Sequence, residues 1–471
     1  MLIEKPFFDS RAKDDKITKR EKIFGYFISP AGMAALNGIL GGYVNIFYTD
    51  TLKLSGLFLI LLPIISKIIS SIFTVFFGRI IDKTKSKQGK ARPWLLLSAP
   101  LCAISAVFCF FIPQLNEAGQ LAWIFITYNL YFSFAYTMYS MSHSLLVPLS
   151  TSDVKERNSL SVWAMIGQTL LMGTMTAIVF TIFLYPYIKK RDSLWLPVIS
   201  GFAALALILT FVEYYWTLER NGGKSQNSST LSFQAQLKAL FTDKFFVLLL
   251  VITALSTFAS QVKNLSLMYY CSWDIGTYET GEKYYALIQV VGNLPLGWGS
   301  FLIFPLMKKM SKQKMTIFGL FLAFIGDAIC FFFPRNLGVV IAGQLVASVG
   351  LIPLTFIMTS FLADALDHVA YHGNGRSDGA GMSSYHIVIN IFVGLAQGFL
   401  NLMLSLFNYH SPDTTLTTQA PQSEEMQKAF TFMFSGLGMI IYLALGVIFC
   451  FFNIEKHMPP KENKKEANPP A

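Results

Sequence analysis

The sequence predicts an all-α membrane protein, with twelve transmembrane helices in two pseudo-symmetric six-helix bundles. Three observations predict it. Of the 471 residues, 53% are hydrophobic and only 14% charged, whereas a soluble chain carries roughly 25% charged residues. Twelve apolar runs are each long enough to span a bilayer, which takes about 20 residues. One long polar link, 217–244, divides them six and six.

The runs follow in order. The first, 24–47, holds Asn37 and Asn45 and ends at Tyr48-Thr49-Asp50. The second, 56–80, carries Lys67, Ser70, Ser71, Thr74 and Gly78, a spacing that places them on one helix face. The third is 94–112. The fourth, 122–146, contains Tyr139, Ser140, Ser142, His143 and Ser144. The fifth, 161–185, holds Gln168, and the sixth, 196–216, has Glu213 near its end, where it is expected to snorkel to the interface. Run 245–270 carries Lys263 and Asn264, 284–307 carries Asn293, and 315–333 carries Asp327. Runs 337–362, 379–407 (with Tyr385, His386 and Asn390) and 429–453 complete the set. The polar link reads Asn221-Gly222-Gly223-Lys224-Ser225-Gln226-Asn227-Ser228-Ser229, a hydrated linker. The expected divisions are an N-tail 1–23, a first bundle 24–216, the linker 217–244, a second bundle 245–453 and a C-tail 454–471. A short match supports the two halves: Ser86-Lys87-Gln88-Gly89-Lys90 follows the second helix and Ser311-Lys312-Gln313-Lys314 the eighth.

Charge sets the expected orientation. The net charge is +10, but the cations cluster in short loops between apolar runs, which indicates a membrane surface rather than nucleic acid. Placing the N-terminus inside puts most Lys and Arg on the cytoplasmic side, so both termini are expected in the cytoplasm. Lys189-Lys190-Arg191 is the exception, falling outside. The first 23 residues carry seven Lys or Arg and no apolar core, so no cleavable signal is expected. The five cysteines are scattered singly and suggest neither disulfides nor a metal site. With no nucleophile elbow, P-loop or paired carboxylates within a helix, an enzyme is not expected.

Ionisable and polar groups within spans are functional candidates. Lys67 starts a stripe read as cavity lining. Ser140 and Ser144 share a face one turn apart. Together with Asn37, Asn264, Asn293, Tyr385 and Asn390 they form the expected solute site. Amides and hydroxyls match sugar hydroxyls, and aromatic rings match the apolar faces of sugars. His143 reads as a hydrogen-bonded packing residue, and no partner for Asp327 is identifiable.

The segment from Gly78 to Trp94, Gly78-Arg79-Ile80-Ile81-Asp82-Lys83-Thr84-Lys85-Ser86-Lys87-Gln88-Gly89-Lys90-Ala91-Arg92-Pro93-Trp94, resembles the signature loop of the glycoside–pentoside–hexuronide:cation symporter family. Tyr48-Thr49-Asp50, Leu146-Val147-Pro148 with Glu156-Arg157, and Ala363-Asp364-Ala365-Leu366-Asp367 with Arg376 agree. The resemblance implies the major facilitator fold and alternating access. It also implies a cation site of three carboxylates, which would fall at Ser70, Thr74 and Ser140, so that site is degenerate here. A sugar-binding aspartate would fall near Ala34 and a lysine near Asn390, while Lys67 keeps a basic position. Hydroxyls do not neutralise a cation, and the site holds no titratable proton carrier apart from His143 or His386, so the family's cation coupling is expected to be weak or absent. Lys83, Lys90 and Arg92, facing Asp364 and Asp367 of the other half, are expected to form a cytoplasmic gate.

The expected function is a multi-pass cell-membrane transporter of a sugar or glycoside, a facilitator or exchanger. It needs no cofactor and no metal, and any coupling ion is sodium or a proton. The expected partners are a carbohydrate solute and membrane lipid, with no nucleic acid, and the expected state is monomeric. A lipid-like solute, an anionic sugar marked by Lys67, or a sensor that binds without transporting remain open.

Overall fold

The computed structural model describes residues 9–12, 16–54, 56–151, 174–220, 233–292, 310–369, 378–412 and 419–454, with isolated residues between them. Arg157, Gln168, Asn293, Arg376, the linker stretch 221–232 and the C-tail from 455 lie outside the described residues. What is described is helical. The helices are α1 (Glu21–Thr51), α2 (Leu57–Lys83), α3 (Arg92–Phe110), α4 (Glu117–Asn129), α5 (Tyr136–Ser150), α6 (Tyr185–Lys190), α7 (Trp195–Trp216) and α8 (Phe233–Thr242). They continue as α9 (Lys244–Trp273), α10 (Gly281–Gly292), α11 (Lys312–Phe332), α12 (Leu337–Val369), α13 (Asp378–Leu406), α14 (Glu424–Thr431) and α15 (Leu437–Phe451). Among the described residues, nine helices are long and apolar enough to cross a membrane.

Local chemistry starts and joins these helices. Asn116 accepts the Gly119 N–H to open α4, Asp243 accepts Phe245 and Phe246 to open α9, and Ser311 and Ser423 open α11 and α14. Pro93 stands in the first turn of α3, where its missing N–H costs nothing. Wide helical turns at Leu130–Ala135 and Phe432–Gly436 run α4 into α5 and α14 into α15. The fourth span is therefore longer than the expected 122–146.

Packing separates two sets of helices. In the first, α3 and α1 lie on α7, and α5 lies on α3; in the second, α11 lies on α12 and α15, and α9 on α13 and α15. The sets meet along α2 and α13, and where α10 meets the helical segment Thr174–Leu184. Glycine permits the first of these meetings. A Cβ on Gly394 would fall 2.9 Å from the Lys67 side chain, and one on Gly398 would fall 2.7 Å from Ile64. Small residues at such crossings let helix backbones approach closely in lipid.

The basic loop after α2 is built around a carboxylate. Glu219, just past α7, accepts the backbone N–H groups of Lys90 (2.7 Å), Ala91 (2.8 Å) and Arg92 (2.8 Å). An anion at a helix start is favoured by the free N–H groups there. Gly89 has φ +106°, a conformation that lets the loop close around this carboxylate. Replacing Gly89 by Ala is expected to destabilise the protein by about 1–3 kcal/mol. Thermal unfolding in detergent would register this as a lower midpoint, and an unchanged midpoint would count against the strain argument.

Candidate functional site

The polar stripe of α2 faces α5. Ser66 and Ser133 bond through their hydroxyls at 2.9 Å, and Ser70 and Thr137 do the same at 2.9 Å. Thr74 donates to the Ser70 carbonyl at 2.8 Å and Ser71 to the Lys67 carbonyl at 2.8 Å, each one turn back along its own helix. The ring of Phe132 lies 5.9 Å from Lys67 Nζ, and no carboxylate bonds to that ammonium among the described residues. Thr137, rather than Ser140, is the residue that meets Ser70. Ser140 and Ser144 are exposed, and Ser144 donates to the Met141 carbonyl.

The other expected solute residues are scattered around this seam. Asn37, Tyr385 and Asn390 are half-buried, Asn264 is exposed, and Asn293 lies outside the described residues. None of the described hydrogen bonds ties them to the seam. Other polar groups do cross between the helix sets. Tyr128 donates to Gln397 at 3.2 Å, and Asn401 donates to the Leu59 carbonyl at 2.7 Å.

One end of the molecule is sealed across the two sets. Lys189 pairs with Glu282 at 3.0 Å, bonds the Tyr278 carbonyl and lies 4.0 Å from the Tyr278 ring centroid. Tyr409 donates to Asp50 at 3.1 Å, and Asn45 donates to the Tyr269 hydroxyl at 3.1 Å. Ser411 donates to the Thr49 carbonyl at 2.7 Å. Burial pushes the Lys189 ammonium below its ordinary pKa, and Glu282 pulls it back up. Lys189 was expected only as an exception to the charge bias. It is instead a buried cation that needs Glu282, which is why it stands against the trend.

A family model described as MFS/sugar transport protein matches residues 25–456. The chain belongs to this family. It is 23% identical to an isoprimeverose transporter of Lactiplantibacillus pentosus, over 82% of this chain and 80% of that one. It is 24% identical to the inner membrane symporter YicJ of Escherichia coli (strain K12), over 85% of each. Among solved structures it is similar to a bacterial homologue of the human lysosomal transporter Spinster, with TM-score 0.65 at 14% identity, covering 92% of this chain and 97% of the other. It is also similar to the nucleoside transporter NupG, with TM-score 0.59 at 14% identity, covering 91% and 98%. The protein is a multi-pass membrane transporter of the major facilitator fold and is not an enzyme.

Two buried pairs in this transporter escaped the reading of its sequence. Lys263 on α9 bonds Asp327 on α11. The second oxygen, Asp327 Oδ2, has no hydrogen-bond partner among the described residues. Glu213, expected to snorkel, is wholly buried and accepts from Tyr139 at 3.2 Å and pairs with His143 at 2.6 Å. It lies under α5 rather than facing lipid, so it could not reach water. The missed signal was reciprocity: the spans carrying Lys263 and Glu213 each had a counterpart of opposite or titratable character in another span, at Asp327 and His143.

The expected gate residues do not meet. Asp364 pairs with Lys312 of its own helix set at 2.6 Å. Lys90 and Arg92 are held by Glu219 through their backbones, and the Arg92 guanidinium donates to the Tyr214 carbonyl at 2.8 Å. Lys83 is exposed, and no described bond links it to the opposite set. The two sets are joined at the opposite end. The sealed end joins the last turns of α1 and α9, so their first turns, and the loops beside them, lie at the other end.

Replacing Lys263 by Met or Asp327 by Asn is expected to destabilise the protein by about 3–5 kcal/mol, because each leaves a buried group uncompensated. Thermal unfolding of the single variants and of the double variant checks it, with partial recovery expected in the double. At the seal, Lys189→Met is expected to speed modification of an Ile46→Cys thiol by a membrane-impermeant maleimide about tenfold, equivalent to ~1.4 kcal/mol. An unchanged rate would show that the closure does not depend on this ion pair.

Proposed function

We propose that the protein moves a sugar or glycoside across the cell membrane by alternating access, without sodium. In this reading twelve helices form two six-helix bundles, 24–216 and 245–453, joined by the linker 217–244, with the tails 1–23 and 454–471 in the cytoplasm. The sealed end is then the outer one, and the solute path opens inward. Rocking of the bundles along the α2–α13 contact breaks the Lys189–Glu282 and Asp50–Tyr409 links and closes the opposite end. Lys83, Lys90, Asp364 and Asp367 supply the charges at that inner end to close it, while Arg92 stays held within its own set.

The observation that carries the sodium part is the seam itself. Ser70 and Thr137 satisfy one another, Thr74 satisfies its own helix, and α2 from Leu57 to Gly78 and the whole of α5 contain no carboxylate. Neutral oxygens alone leave a sodium charge uncompensated, and the nearby Lys67 would oppose it. The carbohydrate part is supported by the family and by relatives named for isoprimeverose and for glycoside/cation symport. The half-buried amides and phenol at Asn37, Asn390 and Tyr385 suit polyhydroxylated solutes. A second reading, an anionic sugar, is favoured by one observation: the Lys67 ammonium has the Phe132 ring beside it and, among the described residues, no carboxylate bonded to it.

Uptake by proteoliposomes of a panel comprising isoprimeverose, other disaccharides, monosaccharides, uronates and sugar phosphates tests both readings. Uptake of a neutral sugar is expected to be the same with sodium or potassium in the buffer. A strict sodium requirement would overturn the account of the seam. Lys67→Met is expected to abolish uptake of any anionic solute, and unchanged uptake of every solute would remove the second reading.

A further inference from the structure

The geometry points to the His143–Glu213 pair as a proton-binding site, through which transport is coupled to H⁺ in place of a metal ion. This rests on the reading of the chain as a transporter without a sodium site. His143 Nδ1 lies 2.6 Å from Glu213 Oε1, and the Tyr139 hydroxyl donates to Glu213 Oε2 at 3.2 Å. The Tyr139 and His143 rings stack with centroids 5.6 Å apart and planes 10° apart. The Glu213 side chain is 0% exposed and that of His143 is 19% exposed.

Burial limits the protonation states. With one shared proton, an imidazolium faces a carboxylate and the pair is neutral. Without that proton, the imidazole is neutral and Glu213 is a bare anion; with a second proton, the pair is a cation. Either net charge is costly away from water. The pair therefore holds one exchangeable proton, and the exposed edge of His143 is its route in and out.

The surroundings leave this charge to the pair. On α5 itself stand Tyr136 and Tyr139. From α1 come Tyr26 and Glu21, and Glu21 is held by Arg220 at 2.8 Å. From α3 come Cys102 and Arg92, and Arg92 is held by the Gln88 and Tyr214 carbonyls and lies 4.4 Å from the Tyr214 ring. From α7 comes Tyr214. On its other side α2 brings Phe77 and Ile81 against Met138. The arginines here are already committed to other groups.

The pair is also placed to act on transport. α5 carries Thr137 on the side that meets α2 and the Tyr139–His143 pair on the side that meets α7. Its last turn bonds Tyr26 through Ser150, and the Leu149 carbonyl accepts the Arg220 N–H at 2.9 Å. Arg220 is the last described residue before 221–232, the link to the second helix set. Loss of the proton leaves Glu213 uncompensated and loosens α5 from α7. That change reaches the seam on one face and the connection between the sets at the other. Binding the proton at one end and releasing it at the other is then a step of the transport cycle.

The test needs no sugar. Spin labels are placed at Gln114→Cys and Ser405→Cys at the sealed end, and at Lys87→Cys and Thr242→Cys at the other, in a Cys450→Ser background. Distances are measured by electron–electron double resonance from about pH 5 to about pH 9, the range in which a histidine pair titrates. The expected result is that the two distances change in opposite senses, with most of the change within about two pH units, as for one proton. Glu213→Gln and His143→Gln are expected to abolish the change. Tyr139→Phe, which leaves both titrating groups in place, is expected to move its midpoint. Distances independent of pH in the unmodified sequence would overturn the proposal. So would a Glu213→Gln variant that titrates like it, or, should that variant not fold, an unmoved midpoint in Tyr139→Phe. Failure to find a transported sugar would bear on the proposed function and leave this outcome standing.

Discussion

A charge removed from water must find its opposite nearby, and that constraint organises this transporter. A membrane-embedded helix bundle has no solvent to hydrate a stray ion, so each buried charge fixes a neighbour. Lys263 fixes Asp327 and thereby α9 on α11; Glu213 fixes His143 and thereby α7 on α5; Lys189 fixes Glu282 across the two helix sets. Arg92 solves the same problem with backbone carbonyls and an aromatic face. Lys67 stands apart, with a ring beside it and, among the described residues, no carboxylate bonded to it. A lone ammonium is tolerable where a solute or water reaches it, which is why the solute path is best sought around it.

The spans were legible because a run of about 20 apolar residues has few other uses. The family was legible because the loop from Gly78 to Trp94 has a conformational job: it closes around Glu219 with Gly89 at positive φ. The pairings were not legible. Glu213 and His143 are 70 residues apart, Lys263 and Asp327 are 64, and Lys189 and Glu282 are 93. A residue near the end of a run looks the same in sequence whether it faces lipid or another helix. The basic loop was read by its side-chain charges, whereas its tightest contacts run through backbone N–H groups to a carboxylate outside the motif. Sequence spacing reports which face of one helix a residue occupies, but not which helix lies opposite.

On the proposed reading, hydroxyls in place of carboxylates at Ser70, Thr74 and Ser140 change more than ion affinity. Carboxylates at a helix seam repel one another unless a cation sits between them, and so a metal site and a tight seam exclude one another when empty. Hydroxyls have no such conflict. Ser70 and Thr137 bond directly, as do Ser66 and Ser133, and α2 packs on α5 with no ion required. On the proposed reading the seam is simply closed and does not report on ion binding. Any coupling must then be carried by a different contact of α5, and its remaining charged contact is the one with α7.

The strength of the seal bears on whether such a transporter can cycle at all. Alternating access requires two closures of comparable free energy, since a difference of ~2.7 kcal/mol already leaves one state at about one per cent. The sealed end uses one ion pair, a few hydrogen bonds and tyrosine rings, each contributing on the order of 1 kcal/mol net after desolvation. The stronger commitments, Lys263 to Asp327 and Glu213 to His143, lie within a helix set, and the rocking of one set on the other does not itself separate them. Holding the buried pairs Lys263–Asp327 and Glu213–His143 inside a set, with Lys189–Glu282 the one described ion pair between sets, keeps each half rigid. It also leaves the equilibrium between the two open states within reach of a single bound solute or proton.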